Sequence, residues 1–455
     1  MERRSYSSVR SRVRAKRCLD AGLAESGIGG GTRCGSALRL HQRASMSSSS
    51  SSLAWPAIFL LVAVGSSSCS SSNKSASSSH RSGPSETPDG TDGPPAPPGS
   101  ETAKPTPTPE SPGTVYQPLF VGRFDTTDPA GPRASWPGTR IIARFDGTKV
   151  SVKLKEHAET WMDGAPSYWE VRIDKDPWKS IAMIADDQPH DFELASNLTP
   201  GPHQVEIYKR SETQNGITQF LGYDFHGGKS LPSPERLLRK IEVLGDSFAS
   251  GFGIENITAP DTDCEGNDWS GRWQNFRKSW GAILGETFNA EVHGIVYSAK
   301  GLIHNDWETD TDPLRDYYDR ADPNPQIANS NPPLFDLTSW VPDVIVMTQG
   351  SGDGGGSDFR AAYRDFIINR LRARGPNTHI YMGIVSAGNR EAVADISQSI
   401  VAERAAVGDF KMHAFMAKPW TWDEVTACNG HGTPAWQQRI ANEIGALIRK
   451  DVGWE

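Results

Sequence analysis

The sequence lacks an apolar run long enough to cross a bilayer as a helix. Leu53–Val64 holds twelve residues, short of the roughly 20 that a span requires, and suits instead the apolar region of a signal peptide. Basic charge is also in short supply: 47 Lys and Arg stand against 55 Asp and Glu, a net charge of −8. Ten of those basic residues lie in residues 1–45 against three acids, so the remainder is more acidic still. Such a chain repels phosphate backbones, which argues against nucleic acid as a partner. Cysteine is sparse, five in 455 residues.

The small residues after the apolar run, ending at Cys69, resemble a bacterial lipoprotein signal, in which that cysteine becomes the lipidated first residue. Ser66 stands where such signals usually carry Leu, so secretion with ordinary cleavage is the alternative. Residues 1–69 are therefore expected to be a targeting segment, with Met46 as a second candidate start. Localisation is expected at the cell surface, as an outer-membrane lipoprotein, or in the medium. Membrane contact would then come only through an N-terminal lipid. Cys18, Cys34 and Cys69 belong to this segment, which leaves Cys264 and Cys428 for the folded part. In an oxidising compartment the two are expected to pair, with two buried thiols as the alternative.

Residues 70–115 consist almost wholly of Ser, Pro, Thr, Gly, Lys and acids, too little apolar surface to fold, and read as a tether. Residues 116–234 change to short alternating segments separated by turn residues, the pattern of a β-sandwich. Within them "RIIARFDGTKVSVKLKE" reads as a hairpin turning at Asp146 and Gly147, with Val150, Val152 and Leu154 on one face. Residues 235–455 alternate strand, loop and helix. Their strands at Ile241–Leu244, Val344–Met347 and Ile380–Val385 are continuously apolar, as in a parallel sheet buried on both faces. Amphipathic stripes through Phe359, Tyr363, Phe366, Ile367 and Leu371, and through Trp436, Ile440, Ile444, Leu447 and Ile448, supply the covering helices. The fold class is thus α/β, and ligands on such sheets bind at the carboxyl ends of strands.

Ser247 lies at such an end, in "GDSFASGFG" directly after an apolar strand. A serine on that turn is a candidate nucleophile or an ordinary helix cap. A nucleophilic serine needs a base and donors for the developing oxyanion. The candidate base is His431, in a loop before a helix that Pro434 opens.

Together "GDSFASGFG", "YSAKGLIHND", "MTQGSGDGG" and a histidine before a terminal helix resemble, in order, the four sequence blocks of SGNH or GDSL-type hydrolases. The upstream "VGRFD", "WPGTRIIARFDGT" and "GPHQVEIYKRSE" narrow the resemblance to the second carbohydrate esterase family. That family joins a jelly-roll sandwich to a three-layer, flavodoxin-like SGNH domain and removes acetyl groups from plant polysaccharides, a reaction expected to need no cofactor. The resemblance implies Ser247 as nucleophile, His431 as base, and the N–H groups of Ser247 and Gly301 as oxyanion donors. It also raises the expectation of a Cys264–Cys428 disulfide tying the loop after the nucleophile to the histidine loop.

Several positions depart from the family pattern. Gly352 replaces the third-block Asn whose side chain would donate to the oxyanion, leaving only its backbone N–H. Asn429 and Cys428 occupy the places of the triad acid, so no carboxylate orients the imidazole from either, and Asn429 is a weak substitute. Asp353 is expected to brace the nucleophile loop, and Trp420 and Trp422 to offer a sugar platform or, equally, rim packing. "DTDCEGND" imitates the start of a calcium loop through Asp261, Asp263, Glu265 and Gly266, but Arg272 stands at the closing position, which argues against a metal. The expected partner is an acetylated polysaccharide of xylan or glucomannan type, met by a monomer. The alternatives are a binding protein that has lost catalysis on the same scaffold, and an SGNH esterase for another acyl ester.

Overall fold

The structure, a computed structural model, describes residues 114–157, 166–257, 264, 269–306, 312–323, 332–386 and 388–455. The targeting segment with Cys69, the tether up to residue 113, and Asp261, Asp263, Glu265 and Gly266 lie outside the described residues.

Among the described residues, ten strands precede the α/β half: β1 (Leu119–Val121), β2 (Arg133–Ala134), β3 (Arg140–Asp146), β4 (Val150–His157), β5 (Tyr168–Ile173), β6 (Lys179–Ala182), β7 (Pro189–Ala195), β8 (Pro202–Lys209), β9 (Ile217–Asp224) and β10 (Lys229–Leu231). One antiparallel sheet runs β1-β3-β8-β5-β6, with β10 also on β3, and the other runs β2-β9-β4-β7. Alternate residues of both sheets face inward and pack together: Ile141, Ala143 and Phe145 from β3, Val150, Val152 and Leu154 from β4, and Val205 and Ile207 from β8.

The expected hairpin does not form. β3 pairs with β1, β8 and β10, whereas β4 pairs with β7 and β9. Residues 147–149 carry the chain from one sheet to the other, so the two apolar faces meet across the core instead of lying side by side. Both arrangements bury the same alternate residues, and periodicity alone does not choose between them.

The second half is built on β11 (Arg239–Gly245), β12 (Ala290–Val296), β13 (Val344–Met347), β14 (His379–Ile384) and β15 (Met412–Met416). All are parallel, in the order β12-β11-β13-β14-β15. Successive residues serve opposite faces: Leu244, Ile345, Met347, Ile380 and Met382 pack to one side, and Ile241, Val243, Val344, Val346 and Tyr381 to the other. The first face is covered by the helical stretch Ser357–Arg372, whose last seven residues are π-helical, and by the helix Arg390–Ala405. The second is covered by the helices Trp280–Phe288 and Pro434–Val452. The result is a three-layer α/β/α domain. The strand order reverses at β11, which makes its carboxyl end the switch-point crevice of the sheet.

Sandwich and α/β layers meet along a polar seam. Lys209 to Asn215 are seven consecutive polar residues, all buried. Deeper in the seam Arg123 bonds Glu242 of β11 at 3.1 Å with both side chains fully buried, and Arg374 joins the same carboxylate at 2.8 Å. Burial of such charges is tolerable only because they are paired.

Candidate active site

Ser247 begins the one-turn helix Ser247–Ser250 at the carboxyl end of β11. Asp246 caps this turn by accepting the Phe248 N–H at 3.0 Å, and its other oxygen accepts the Ser351 hydroxyl. The cap role that a serine could have filled therefore falls to Asp246, and Ser247 is left with its hydroxyl facing outward from the turn. Burial, with Asp306 and Asp353 as nearby negative charges, pushes the Asp246 carboxyl up to about 6.

His431 reaches Ser247 from the loop before the last helix, with 2.7 Å between Nε2 and Oγ. On its far side Nδ1 lies 2.9 Å from the carbonyl oxygen of Cys428. A carbonyl only accepts, so Nδ1 carries the proton and the Nε2 lone pair faces the serine hydroxyl. The turn is made possible by left-handed backbone at Asn429 (φ 55°) and Gly430 (φ 72°), a conformation these two residue types tolerate best. Thr433 caps the following helix by accepting the Trp436 N–H at 3.3 Å, with Pro434 in its first turn. The ring sits between Phe248 and Phe252, at centroid distances of 4.8 and 4.6 Å. Desolvation there lowers the imidazole pKa to about 4, partly opposed by its hydrogen bonds to the backbone at Cys428 and Asn429. The base is thus neutral throughout the neutral range.

Cys428 is disulfide-bonded to Cys264, with 5.0 Å between the Cα atoms. The pair packs with Phe252, Trp269 and Trp273. The carbonyl that orients His431 therefore belongs to a residue anchored covalently to the loop following the nucleophile.

Gly301 lies in the loop that follows β12. Its N–H donates to Asn305 Oδ1 at 3.2 Å. The next three N–H groups, of Leu302, Ile303 and His304, all donate to Asp353 at 2.7–2.9 Å. Asp353 thus braces the Gly301 loop, not the nucleophile turn, and with both oxygens committed it is poorly placed for proton transfer. Gly352 is exposed, between Asp353 and the Ser351 that bonds Asp246, so the third block touches both the nucleophile turn and the oxyanion loop.

Trp420 stacks on Phe248 at 5.5 Å and 8°, which places it one ring from His431. Trp422 is 66% exposed and belongs to a short helical turn beyond it. Two contributors escaped the sequence reading. The Cys428 carbonyl has no side-chain signature, and Asn305 lies inside the second block, where its side chain accepts from Gly301. Arranged this way, the residues offer a hydroxyl and a neutral base in the correct tautomer at the carboxyl end of β11, two of the requirements of acyl transfer.

Residues 120–234 match the family described as Carbohydrate esterase 2 N-terminal. The cellulase/esterase CelE of Acetivibrio thermocellus is 29% identical over 360 residues, 77% of this chain and 41% of that protein. An acetylxylan esterase / glucomannan deacetylase of Cellvibrio japonicus is 29% identical over 236 residues, 51% of this chain and 60% of that protein. The chain thus spans only about two-fifths to three-fifths of these curated relatives. Among solved structures, a family two carbohydrate esterase from Clostridium thermocellum in complex with cellohexaose superposes with a TM-score of 0.65 and 27% identity, over 74% of this chain and all of that one. A family two carbohydrate esterase from Cellvibrio japonicus, 23% identical with a TM-score of 0.62 over 73% of this chain and 95% of that one, shares the fold.

Proposed function

We propose, from a chain that is similar to the family 2 carbohydrate esterases over both its sandwich and its SGNH-type α/β domain, that it hydrolyses acetyl esters of a polysaccharide through an acyl-serine. The observation that carries the reading is the 2.7 Å contact between Ser247 Oγ and an imidazole whose tautomer leaves Nε2 free to accept. Ser247 attacks the acetyl carbonyl carbon as Nε2 takes its proton, and the oxyanion forms against the N–H groups of Ser247 and Gly301. Asn305 Oδ1 occupies the Gly301 N–H in the resting site and gives way to the substrate oxygen. The imidazolium then protonates the departing sugar oxygen. Water, deprotonated by Nε2, attacks the acyl-serine, releases acetate and restores the hydroxyl. These steps call on no cofactor or metal. The Cys428 carbonyl supplies the tautomer that a triad acid would, without its negative charge, so the imidazolium is less stabilised than in a full triad.

A xylan or glucomannan type of substrate is supported by the name of the Cellvibrio relative and by the Trp420–Phe248 wall beside the dyad. Acetate release from acetylated xylan and glucomannan, compared with release from longer-chain esters, tests this. The expected result is acetate release from at least one glycan and little turnover of long acyl chains, whereas preferential long-chain turnover would move the protein to another acyl ester. Gly352 and the missing triad carboxylate favour a second reading, binding without turnover, for which glycan retention with no acetate release is the discriminating result. Residues 1–69, with Cys69, support an exported chain that works as a lipid-tethered surface protein or in the medium.

The low pKa of His431 makes a prediction for pH. A group whose working form is neutral and whose pKa is lowered to about 4 keeps kcat/KM for p-nitrophenyl acetate from collapsing at 6.5, the ordinary histidine value. The acid limb attributable to the base is expected near pH 4. An inflection near 6 that vanishes in Asp246→Asn would belong to the cap. A base-dependent limb at 6.5 in the Asp246→Asn protein contradicts the half-buried, neutral imidazole.

A further inference from the structure

We propose that Glu212, a sandwich residue, is the positioning residue that holds the nucleophile turn and the oxyanion loop in register. The proposal rests on the esterase reading and adds a role for the sandwich to it.

Glu212 lies in the buried polar segment Lys209–Asn215 and is itself fully buried. One carboxylate oxygen accepts the Ser250 hydroxyl and the Ser298 hydroxyl, each at 2.7 Å. The other accepts the Ser298 N–H at 2.9 Å and the Gln214 amide at 3.1 Å. Ser250 closes the helical turn that Ser247 opens, and its hydroxyl also lies 3.2 Å from the Ser247 carbonyl oxygen. Ser298 stands three residues before Gly301, at the start of the oxyanion loop. A single carboxylate from another domain therefore joins the element that carries the nucleophile to the element that carries the donor.

The clamp is itself fixed. The Glu212 N–H donates to Gln274 Oε1 at 3.2 Å, and the fully buried Lys209 ammonium donates to the carbonyl oxygens of Ser211 and Glu212 at 3.1 and 3.0 Å. Burial pushes the Glu212 carboxyl upward, and its hydrogen bonds from Ser298, Ser250 and Gln214 pull the other way. The seam thus commits a buried carboxylate, costly to bury without partners, to bonds that include both catalytic loops. Ser247 and Gly301 must meet the same carbonyl group, and a shift of about 1 Å between them can cost about 10²-fold in rate.

Glu212→Gln tests this with nearly unchanged shape. Its amide oxygen still accepts the two hydroxyls, which can rotate, but its NH2 group confronts the Ser298 N–H and the Gln214 amide, so the main-chain tie to the oxyanion loop is lost and only the Ser298 hydroxyl still holds that loop. The full-length protein is expected to lose about 10- to 100-fold in kcat on p-nitrophenyl acetate, with KM within about threefold and a melting temperature lower by about 5 °C or less. Thr213→Val serves as the control. Thr213 Oγ1 is buried in the same segment without a hydrogen-bond partner among the described residues, and the substitution is expected to leave kcat unchanged. Should Glu212→Gln not fold, the Ser250→Ala/Ser298→Ala pair removes two of the four donors and is expected to lower kcat about tenfold at unchanged KM. Wild-type kcat in a folded Glu212→Gln protein, a loss confined to KM, or an equal loss in Thr213→Val overturns the inference alone. Absence of Ser247-dependent turnover in the wild type overturns the esterase reading and this inference with it.

Discussion

Ser247→Ala is expected to lower turnover of acetyl esters by at least about 10⁴-fold while leaving KM nearly unchanged. The oxygen that forms the acyl bond is gone, and His431 Nε2, 2.7 Å from it in the resting site, then has only water to activate. What remains is the contribution of binding and of the oxyanion donors, which in serine hydrolases leaves a small residual rate. The substitution removes one hydroxyl from a turn whose cap is Asp246, so the fold and its melting temperature should hold. Steady-state kinetics on p-nitrophenyl acetate beside a melting curve check both halves of the expectation. Unchanged turnover would mean that the chemistry lies elsewhere.

Gly301→Ala is expected to be the next most damaging change, with kcat/KM lower by about 10²- to 10³-fold, the usual cost of an oxyanion donor. The reason is space, not backbone freedom. A Cβ at this position would overlap the carbonyl oxygen of His304 and stand 2.7 and 2.8 Å from the two Asp353 oxygens. Those oxygens are held by the three N–H groups that follow Gly301, so the loop must move as a unit and its leading N–H loses its aim. Gly352→Ala is the contrast: its Cβ would meet only Asp306 Oδ1, at 3.2 Å, in exposed surroundings. Kinetics on the two variants side by side should show a large loss in the first and a small one in the second. Equal losses would place the donor outside the Gly301 loop.

The α/β half was legible because its signals are local and redundant. Continuous apolar strands such as Val344–Met347 feed both faces of one sheet, and the stripe through Trp436, Ile440 and Ile444 has a single burial solution. The turn from β3 to β4 was not legible, since Asp146 and Gly147 permit a hairpin and a crossing between sheets alike. Choosing between them depends on β8 and β9, which come more than 50 residues later in the chain. The segment Lys209–Asn215 hides its role for a different reason. Seven polar residues in a row suggest a solvated loop, and only the arrival of a second domain turns them into a buried network. At the site, Ser247 and Gly301 are marked by their blocks, whereas the orienting group of His431 is a main-chain carbonyl. Every residue carries such a carbonyl, so no residue type could have announced it; the left-handed backbone at Asn429 and Gly430 that aims it is only weakly suggested by the Asn-Gly pair.

The most direct test of the account is fluorophosphonate labelling of the wild-type protein followed by peptide mapping, at pH 7 and again at pH 5. Because the imidazole is neutral down to about 4, the account predicts a single adduct on Ser247 at both values, lost in His431→Ala. No adduct on Ser247, or one that persists without His431, would contradict it.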